Sequence, residues 1–434
     1  MKKARLSKIL SPARIIALGF LLVILIGSLL LSLPFSVRDG VQLRYIDALY
    51  TSTSAVCVTG LTVVDAHDTF TPIGQFIIGM LIQIGGLGVS AVGAGVILAV
   101  GRRVNLKGRS LVREAMNLDS GRGIIRFVKS VFLTTVAFEL VGAVLSFIVF
   151  IQDHPFTRAL GLSLFHAVSS FNNAGFDILG GGQSLATYRD NIPLNLITCG
   201  LIFFGGIGFL VIREVIEKRF NFRKLSMHSK VVLTMSAVLT FGGMLLLMLT
   251  EKISWIGALF QSVSARTAGF ATYSLGDFTN PGLIIMIILM FVGASPGSTG
   301  GGIKTSTLFV LIQGIKASAT GKSEKAFKYS VPREAFRKAA VIVLIGIAVV
   351  LTGTYIVTVL EPELSLRDVM FEMTSAFSTA GLSTGITGGL GIGSKILSII
   401  IMYIGRLGPL TIASLWYFTP GERTSFPDGN IVVG

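Results

Sequence analysis

The sequence predicts an all-α membrane protein: four pseudo-symmetric helix–pore loop–helix repeats, giving eight transmembrane helices and four re-entrant half-helices around a central pore. Three observations lead there: a series of long apolar segments, a lopsided charge distribution between alternate connections, and one glycine-bearing loop that recurs. Of 434 residues, 52% are hydrophobic and 14% charged, too little charge to coat a soluble protein of this size. A helix needs about 20 apolar residues to cross a bilayer. Eight stretches qualify, at about 15–35, 73–100, 129–151, 194–216, 231–250, 282–312 (interrupted), 339–360 and 395–418.

The opening MKKARLSKILSPAR has the basic character of a signal-peptide n-region. The apolar run behind it is long and no small-residue cleavage motif follows, so the segment is expected to stay as a helix. Residues 1–14, 101–130, 213–230 and 316–338 together hold 26 Lys or Arg against 6 acids. The opposite connections, 36–71, 152–190, 251–279 and 361–368, hold 12 acidic residues and fewer basic ones. This is the positive-inside pattern, and it predicts a multi-pass protein of the cell membrane with both termini cytoplasmic. It accounts for the net charge of +15 without nucleic acid. The external acidic excess would raise the local cation concentration modestly. Cys57 and Cys199 make no disulfide framework and read as small buried thiols.

Each external connection contains a short half-apolar stretch and a small-residue turn: YTSTSAVCVTGLT (50–62), FHAVSSFNNAGFD (165–177), LFQSVSARTAGFA (259–271) and FEMTSAFSTAGLS (371–383). Aligned with a one-residue gap in the third, they place Gly60, Gly175, Gly269 and Gly381 in register. Behind them IGGLG (84–88), FGGIG (204–208) and IGRLG (404–408) recur, and VGAS (292–295) takes their place in the third unit. The expected repeats are 15–100, 128–219, 228–317 (with a broken second helix) and 338–418, followed by a tail at 419–434. Pieces of roughly 12 residues cannot span and fit half-helices that turn back. Two spans per repeat give every repeat one orientation, so the axis relating them lies along the membrane normal.

Non-helical backbone at membrane depth is tolerated where it is buried in protein or lines water. Glycine permits the positive φ that can aim carbonyls at an axis, and rings of carbonyls replace hydration water in potassium filters. No acidic side chain sits at the glycine positions, against a calcium-type carboxylate filter. A tight turn explains one such glycine better than four in register.

With these motifs in view, the chain resembles the membrane subunits of the Trk/Ktr/HKT potassium-transporter superfamily, most of all the KtrB branch. The resemblance runs over essentially the whole chain and rests on VTGLT, NNAGF, RTAGF, STAGLS and IGRLG. It implies a selectivity filter made by Val58, Thr59, Gly60 and Leu61; Asn173, Ala174, Gly175 and Phe176; Thr267, Ala268, Gly269 and Phe270; and Thr379, Ala380, Gly381 and Leu382. Potassium would sit at the carbonyls of Gly60, Gly175, Gly269 and Gly381, as the transported ion; no organic cofactor is implied. Plant relatives with sodium preference carry serine at the first filter glycine, and Gly60 here implies potassium. A pore of the same architecture conducting sodium or ammonium is the alternative.

The stretch FVGASPGSTGGGIKTST (291–307) interrupts an apolar segment with residues unable to sustain helix. Glycine costs about 1 kcal/mol and proline about 3 relative to alanine in a helix interior. Gly293, Ser295, Pro296, Gly297, Ser298, Thr299, Gly300, Gly301, Gly302 and Lys304 are therefore expected in a mid-membrane loop, while the siblings GGLG, GGIG and GRLG continue as helix. A structural kink is the alternative to a moving part; the resemblance implies a gate at 294–305 beneath the filter. Arg406, a basic residue deep in an apolar helix, marks function by default. The resemblance places it near that gate as a barrier to cations, against an alternative role in an internal ion pair, with Glu139 a possible partner. Glu139 otherwise reads as a structural hydrogen-bonding group, Glu372 as an anchor of its pore helix's N-terminal turn, and His166 as a local hydrogen-bonding residue.

Enzyme chemistry finds no support. GSTGGGIKT (297–305) approaches a phosphate loop, but Ile303 intrudes before the lysine and no βαβ context exists. The histidines (His67, His154, His166, His228) are scattered, and HExxH does not occur. The resemblance also implies partners: a homodimer docked on a cytosolic ring of RCK-type (KtrA-like) nucleotide-binding subunits. The basic loops 101–130, 213–230 and 316–338 are candidate docking surfaces, and the tail is expected at the dimer interface.

Overall fold

The computed structural model describes residues 11–99, 106–115 and 123–414. The expectations for the tail 419–434, for residues 101–105 and 116–122 of the basic loop 101–130, and for the first ten residues lie outside them. Helices dominate the described residues, and the β-structure is a two-stranded hairpin of Lys325–Ala326 and Tyr329–Ser330.

Each unit opens with a long helix: α1 (Pro12–Leu31), α5 (Ile124–Phe150), α9 (Met227–Thr250) and α13 (Arg333–Leu360). Among the described residues these are the four single helices long and apolar enough to cross a membrane. Their outward faces expose Leu18, Leu133, Leu249 and Tyr355, whereas Ser28, Thr135, Ser146 and Ser236 are turned inward and buried. This inverted polarity suits hydrocarbon on the outside.

A buried half-helix follows in each unit: α2 (Tyr45–Val56), α6 (Phe156–Phe171), α10 (Trp255–Ala265) and α14 (Leu366–Ser378). Their hydroxyl-rich middles, such as Thr51, Ser52, Thr53 and Ser54 in α2, are fully enclosed. Serine caps start two of them, Ser254 accepting from the Gly257 amide at 3.2 Å and Ser365 from the Asp368 amide at 3.2 Å.

The inner helices are α3 (Pro72–Leu87), α7 (Ile192–Ile207), α11 (Asn280–Phe291) and α15 (Ile392–Leu407). Thr71, Asn191 and Thr279 cap the first three, with proline in the first turn of each. In the fourth, Gly391 has no capping side chain, and Glu361 accepts from its amide at 2.8 Å. Each inner helix packs on the half-helix of the next unit: α3 on α6, α7 on α10, α11 on α14, and α15 back on α2. The four units thus close into a ring.

The inner helices correct one expectation. Continuous helix over 73–100, 194–216 and 395–418 does not form. The chain breaks at Gly88, Gly208 and Gly408, with φ of +84°, +92° and +89°, and continues as α4 (Val89–Ala99), α8 (Phe209–Glu217) and α16 (Pro409–Ser414). The pieces flanking Gly208 meet at 96°, and those flanking Gly88 at 102°. Positive φ with extended ψ is open essentially to glycine alone, so the last glycine of each motif is a hinge. In the third unit residues 292–304 separate α11 from α12 (Thr305–Thr320).

Candidate functional site

The four half-helices end at Val56, Phe171, Ala265 and Ser378, and the glycine loops begin there. One backbone pattern recurs in all four. The residue two before the glycine is left-handed: Val58 (φ +49°), Asn173 (+58°), Thr267 (+74°) and Thr379 (+51°). The glycine itself is positive again: Gly60 (+95°), Gly175 (+69°), Gly269 (+81°) and Gly381 (+83°). Left-handed non-glycine residues are uncommon, and a β-branched one is strained. Buried anchors hold them there. The amides of Thr59, Ala174 and Ala380 donate to the carbonyls of Ser54, Ser169 and Ser375 at 2.8, 2.8 and 2.9 Å. Ala268 reaches Ser264 at 2.9 Å, one residue closer in sequence, although the glycine is the eleventh residue of all four quoted stretches and the expected gap in the third is not needed. Beyond each glycine Leu61, Phe176, Phe270 and Leu382 are buried in the apolar clusters between units.

The glycines meet in order around a closed ring. A Cβ on Gly60 would lie 2.6 Å from the Ala174 carbonyl, and one on Gly175 2.6 Å from that of Ala268. On Gly269 it would lie 3.0 Å from the Ala380 carbonyl, and on Gly381 2.9 Å from the Gly60 Cα. All four glycines line one cavity of about 650 Å³, whose wall includes Asp65 and Asp177. In the connection that follows the second glycine loop, burial pushes the Asp177 carboxyl up to about 6 even though it accepts from the Leu179 amide at 3.1 Å.

Residues 292–304 fold against three of the loops. Val292 and Ile303 pair at the neck of the segment. Gly293 and Gly300 abut Thr267, Gly301 abuts Thr379, and Gly302 abuts Ser378. The Thr299 hydroxyl donates to the carbonyls of Phe171 (3.2 Å) and Gly205 (3.1 Å), and the Ser295 amide donates to that of Gly206 at 3.0 Å. Pro296 and Gly297 lie against the Gly208 hinge, where the Phe209 amide donates to the Gly297 carbonyl at 3.1 Å. Inside the segment the Ser295 and Thr305 hydroxyls pair at 2.9 Å, and the Ser298 hydroxyl donates to the Ser295 carbonyl at 2.6 Å. Lys304 turns its Nζ back onto the carbonyls of Gly300 (2.8 Å) and Gly301 (3.2 Å). A phosphate cradle presents N–H groups; these carbonyls have the opposite polarity.

Arg406 ends α15 beside this segment. Its guanidinium donates to the carbonyls of Thr299, Gly85 and Gly86, and it faces the Phe20 ring at 6.0 Å. Glu139 is not its partner. That carboxylate accepts from Asn172 at 2.9 Å and Gln83 at 3.3 Å, joining α5, the end of α6 and α3. Glu372 likewise departs from the expectation of an N-terminal anchor. It stands mid-helix in α14 and accepts from Thr387 and, at 2.8 Å, from Ser383, pinning the chain beyond the fourth glycine loop. His166, expected to bond locally, reaches across to Thr198 of α7 at 2.9 Å.

Sequence reasoning missed two buried cations. Lys395, 1% exposed, forms an ion pair with Asp47 at 2.7 Å, and the Tyr50 and Ser398 hydroxyls meet nearby at 3.0 Å. These contacts fasten unit four to unit one. Arg266 caps α10 and donates to the Ser236 carbonyl of α9 at 2.8 Å. A basic residue inside an apolar run was the available signal for both, and it was heeded for Arg406 alone.

Comparison with known proteins agrees with this geometry. Residues 13–231 and 220–420 match the family described as TrkH, cation transport protein. The chain is 36% identical to the potassium/sodium uptake protein NtpJ of Enterococcus hirae over 94% of both chains. It is also 36% identical to the Ktr system potassium uptake protein B of Bacillus subtilis, over 98% of this chain and 97% of that one. Its fold is similar to the crystal structure of the potassium transporter TrkH from Vibrio parahaemolyticus, with TM-score 0.71 and 19% identity over 92% of this chain and 84% of the other. A ring of four glycine loops inside an apolar shell, matched along nearly its whole length to membrane cation carriers rather than enzymes, places this chain in the TrkH family of cation transport proteins.

Proposed function

We propose that the chain is the ion-translocating membrane subunit of a potassium uptake system. The observation that carries this reading is the closed order of the ring, Gly60 to Gly175 to Gly269 to Gly381 and back to Gly60. The positive φ at the first and third residue of each loop would let carbonyls face a common axis, so Val58–Leu61, Asn173–Phe176, Thr267–Phe270 and Thr379–Leu382 would jointly replace a cation's hydration shell. All four half-helices end at the ring, and helix C-termini carry partial negative charge that favours a cation. Asp65 and Asp177 in the cavity beyond would raise the local cation concentration.

In this reading each bent or broken inner helix completes a span, giving eight, with both termini cytoplasmic as the charge pattern requires. Residues 294–305 are the gate, with Arg406 and Lys304 placing positive charge beneath the filter. The protein works as a homodimer on a cytosolic ring of RCK-type nucleotide-binding subunits, a partnership supported by the resemblance and by the basic cytoplasmic loops. Sodium is the second reading, favoured by the potassium/sodium description of the Enterococcus hirae relative. Purified protein in liposomes decides between them: rubidium enters and sodium is excluded if potassium is the cargo. Equal sodium flux would replace the first reading with the second.

A further inference from the structure

We propose that the carbonyl oxygens of Thr299, Gly300 and Gly301 form an additional monovalent-cation site beneath the ring, which the Lys304 ammonium occupies as a tethered cation while the pathway is shut. The proposal rests on reading 294–305 as the gate. Three consecutive carbonyls each receive a protein cation here: Lys304 Nζ lies 2.8 Å from the Gly300 oxygen and 3.2 Å from that of Gly301, and Arg406 holds that of Thr299. Among the described residues neither cation has a carboxylate within ion-pair distance. The carbonyls therefore do the work of counter-charge, as they do for an alkali cation in a filter.

Two further observations point to a ligand rather than to a helix cap. The Thr379 side chain packs on Gly301, and its fully buried hydroxyl has no hydrogen-bond partner among the described residues, leaving an oxygen at the edge of the carbonyl cluster. Lys304 is also the residue before α12. A cation at a helix N-terminus opposes the dipole, so the ammonium gains nothing from that position and turns back to the carbonyls. An ammonium and a potassium ion carry the same charge at similar size. Withdrawal of α12 would take Lys304 with it and leave the oxygens to a cation descending from the ring. Closure and conduction would then be competition between a tethered and a free cation for the same ligands.

The test uses the full chain in liposomes without a cytosolic partner, comparing the parent, Lys304→Met, Lys304→Arg and a variant shortened within 297–302. Lys304→Met should raise rubidium uptake about tenfold, the shift expected when one or two charge-assisted hydrogen bonds leave a closed state. Barium, a divalent ion of potassium size, should block that flux from the cytoplasmic side, and Lys304→Arg, which keeps a cation at this position, should raise uptake less than Lys304→Met. Parent-level flux in a monodisperse Lys304→Met protein, alongside raised flux in the shortened variant, overturns the tethered cation and leaves the gate standing. Parent-level flux in both overturns the gate as well. Lys304→Gln replaces the methionine variant if that one does not fold. Rubidium density among these three carbonyls in Lys304→Met supports the site directly, and density confined to the ring overturns it.

Discussion

The third inner helix and its three siblings solve the same packing problem differently. Gly85, Gly205 and Gly405 stand so close to the ends of their half-helices that a Cβ would run into the carbonyls of Val56, Phe171 and Phe377. Each sibling then turns at a single hinge glycine. The matching Gly293 meets the Gly301 carbonyl of its own loop instead, along with Thr267. Symmetric parts of the pathway are thus set by steric contact, which admits one arrangement. The asymmetric part also packs closely, on Thr267 and Thr379, but adds individual hydrogen bonds from Ser295, Thr299, Lys304 and Arg406, which can be exchanged. Under the proposed function, selectivity would fall on the first side of that difference and control on the second.

The largest expected effect breaks the closed ring. Lys395→Met leaves the buried Asp47 with the largely exposed Arg44 as its remaining ion partner and should destabilise the protein by up to about 3–5 kcal/mol, read as a lower unfolding midpoint in detergent. Adding Asp47→Leu should restore most of it; if the double variant is as unstable as the single, the pair does not fasten units one and four by charge. Next comes the steric contact. Gly205→Ala should lower stability by about 1–3 kcal/mol through overpacking, whereas Ser298→Ala, within the loop, should lose no more than about 1 kcal/mol for its hydrogen bond. Equal losses in a thermal melt would erase the distinction between the two regions.

The helical membrane class and the family were legible because each follows from a local signal: apolar run length and a glycine motif that recurs at fixed spacing. The hinges were not legible. Gly88, Gly208 and Gly408 sit inside apolar text that favours helix, and their turn is dictated by what the chain packs against. Pro409 after Gly408 was a local hint. Partners of buried charges were equally hidden, since Lys395 and Asp47 are 348 residues apart and no periodicity links them.

The smallest effect concerns the outer cavity. Asp177 is neutral below about 6 and charged above it, so apparent cation affinity should weaken about twofold as external pH falls from 7.5 to 5. Asp177→Asn should remove that dependence, and an unchanged pH profile in the variant would exclude this carboxylate as its source.

The division of labour itself is tested by measuring rubidium and sodium uptake side by side for the parent, Gly381→Ser and a variant shortened within 297–302. The account predicts that Gly381→Ser lowers the rubidium-to-sodium ratio about tenfold, a change of roughly 1.4 kcal/mol. It predicts that the shortened loop raises the rate of both ions and leaves their ratio untouched. A shortened loop that alters the ratio, or a serine at 381 that leaves it intact, would contradict the assignment of selection to the ring and control to the loop.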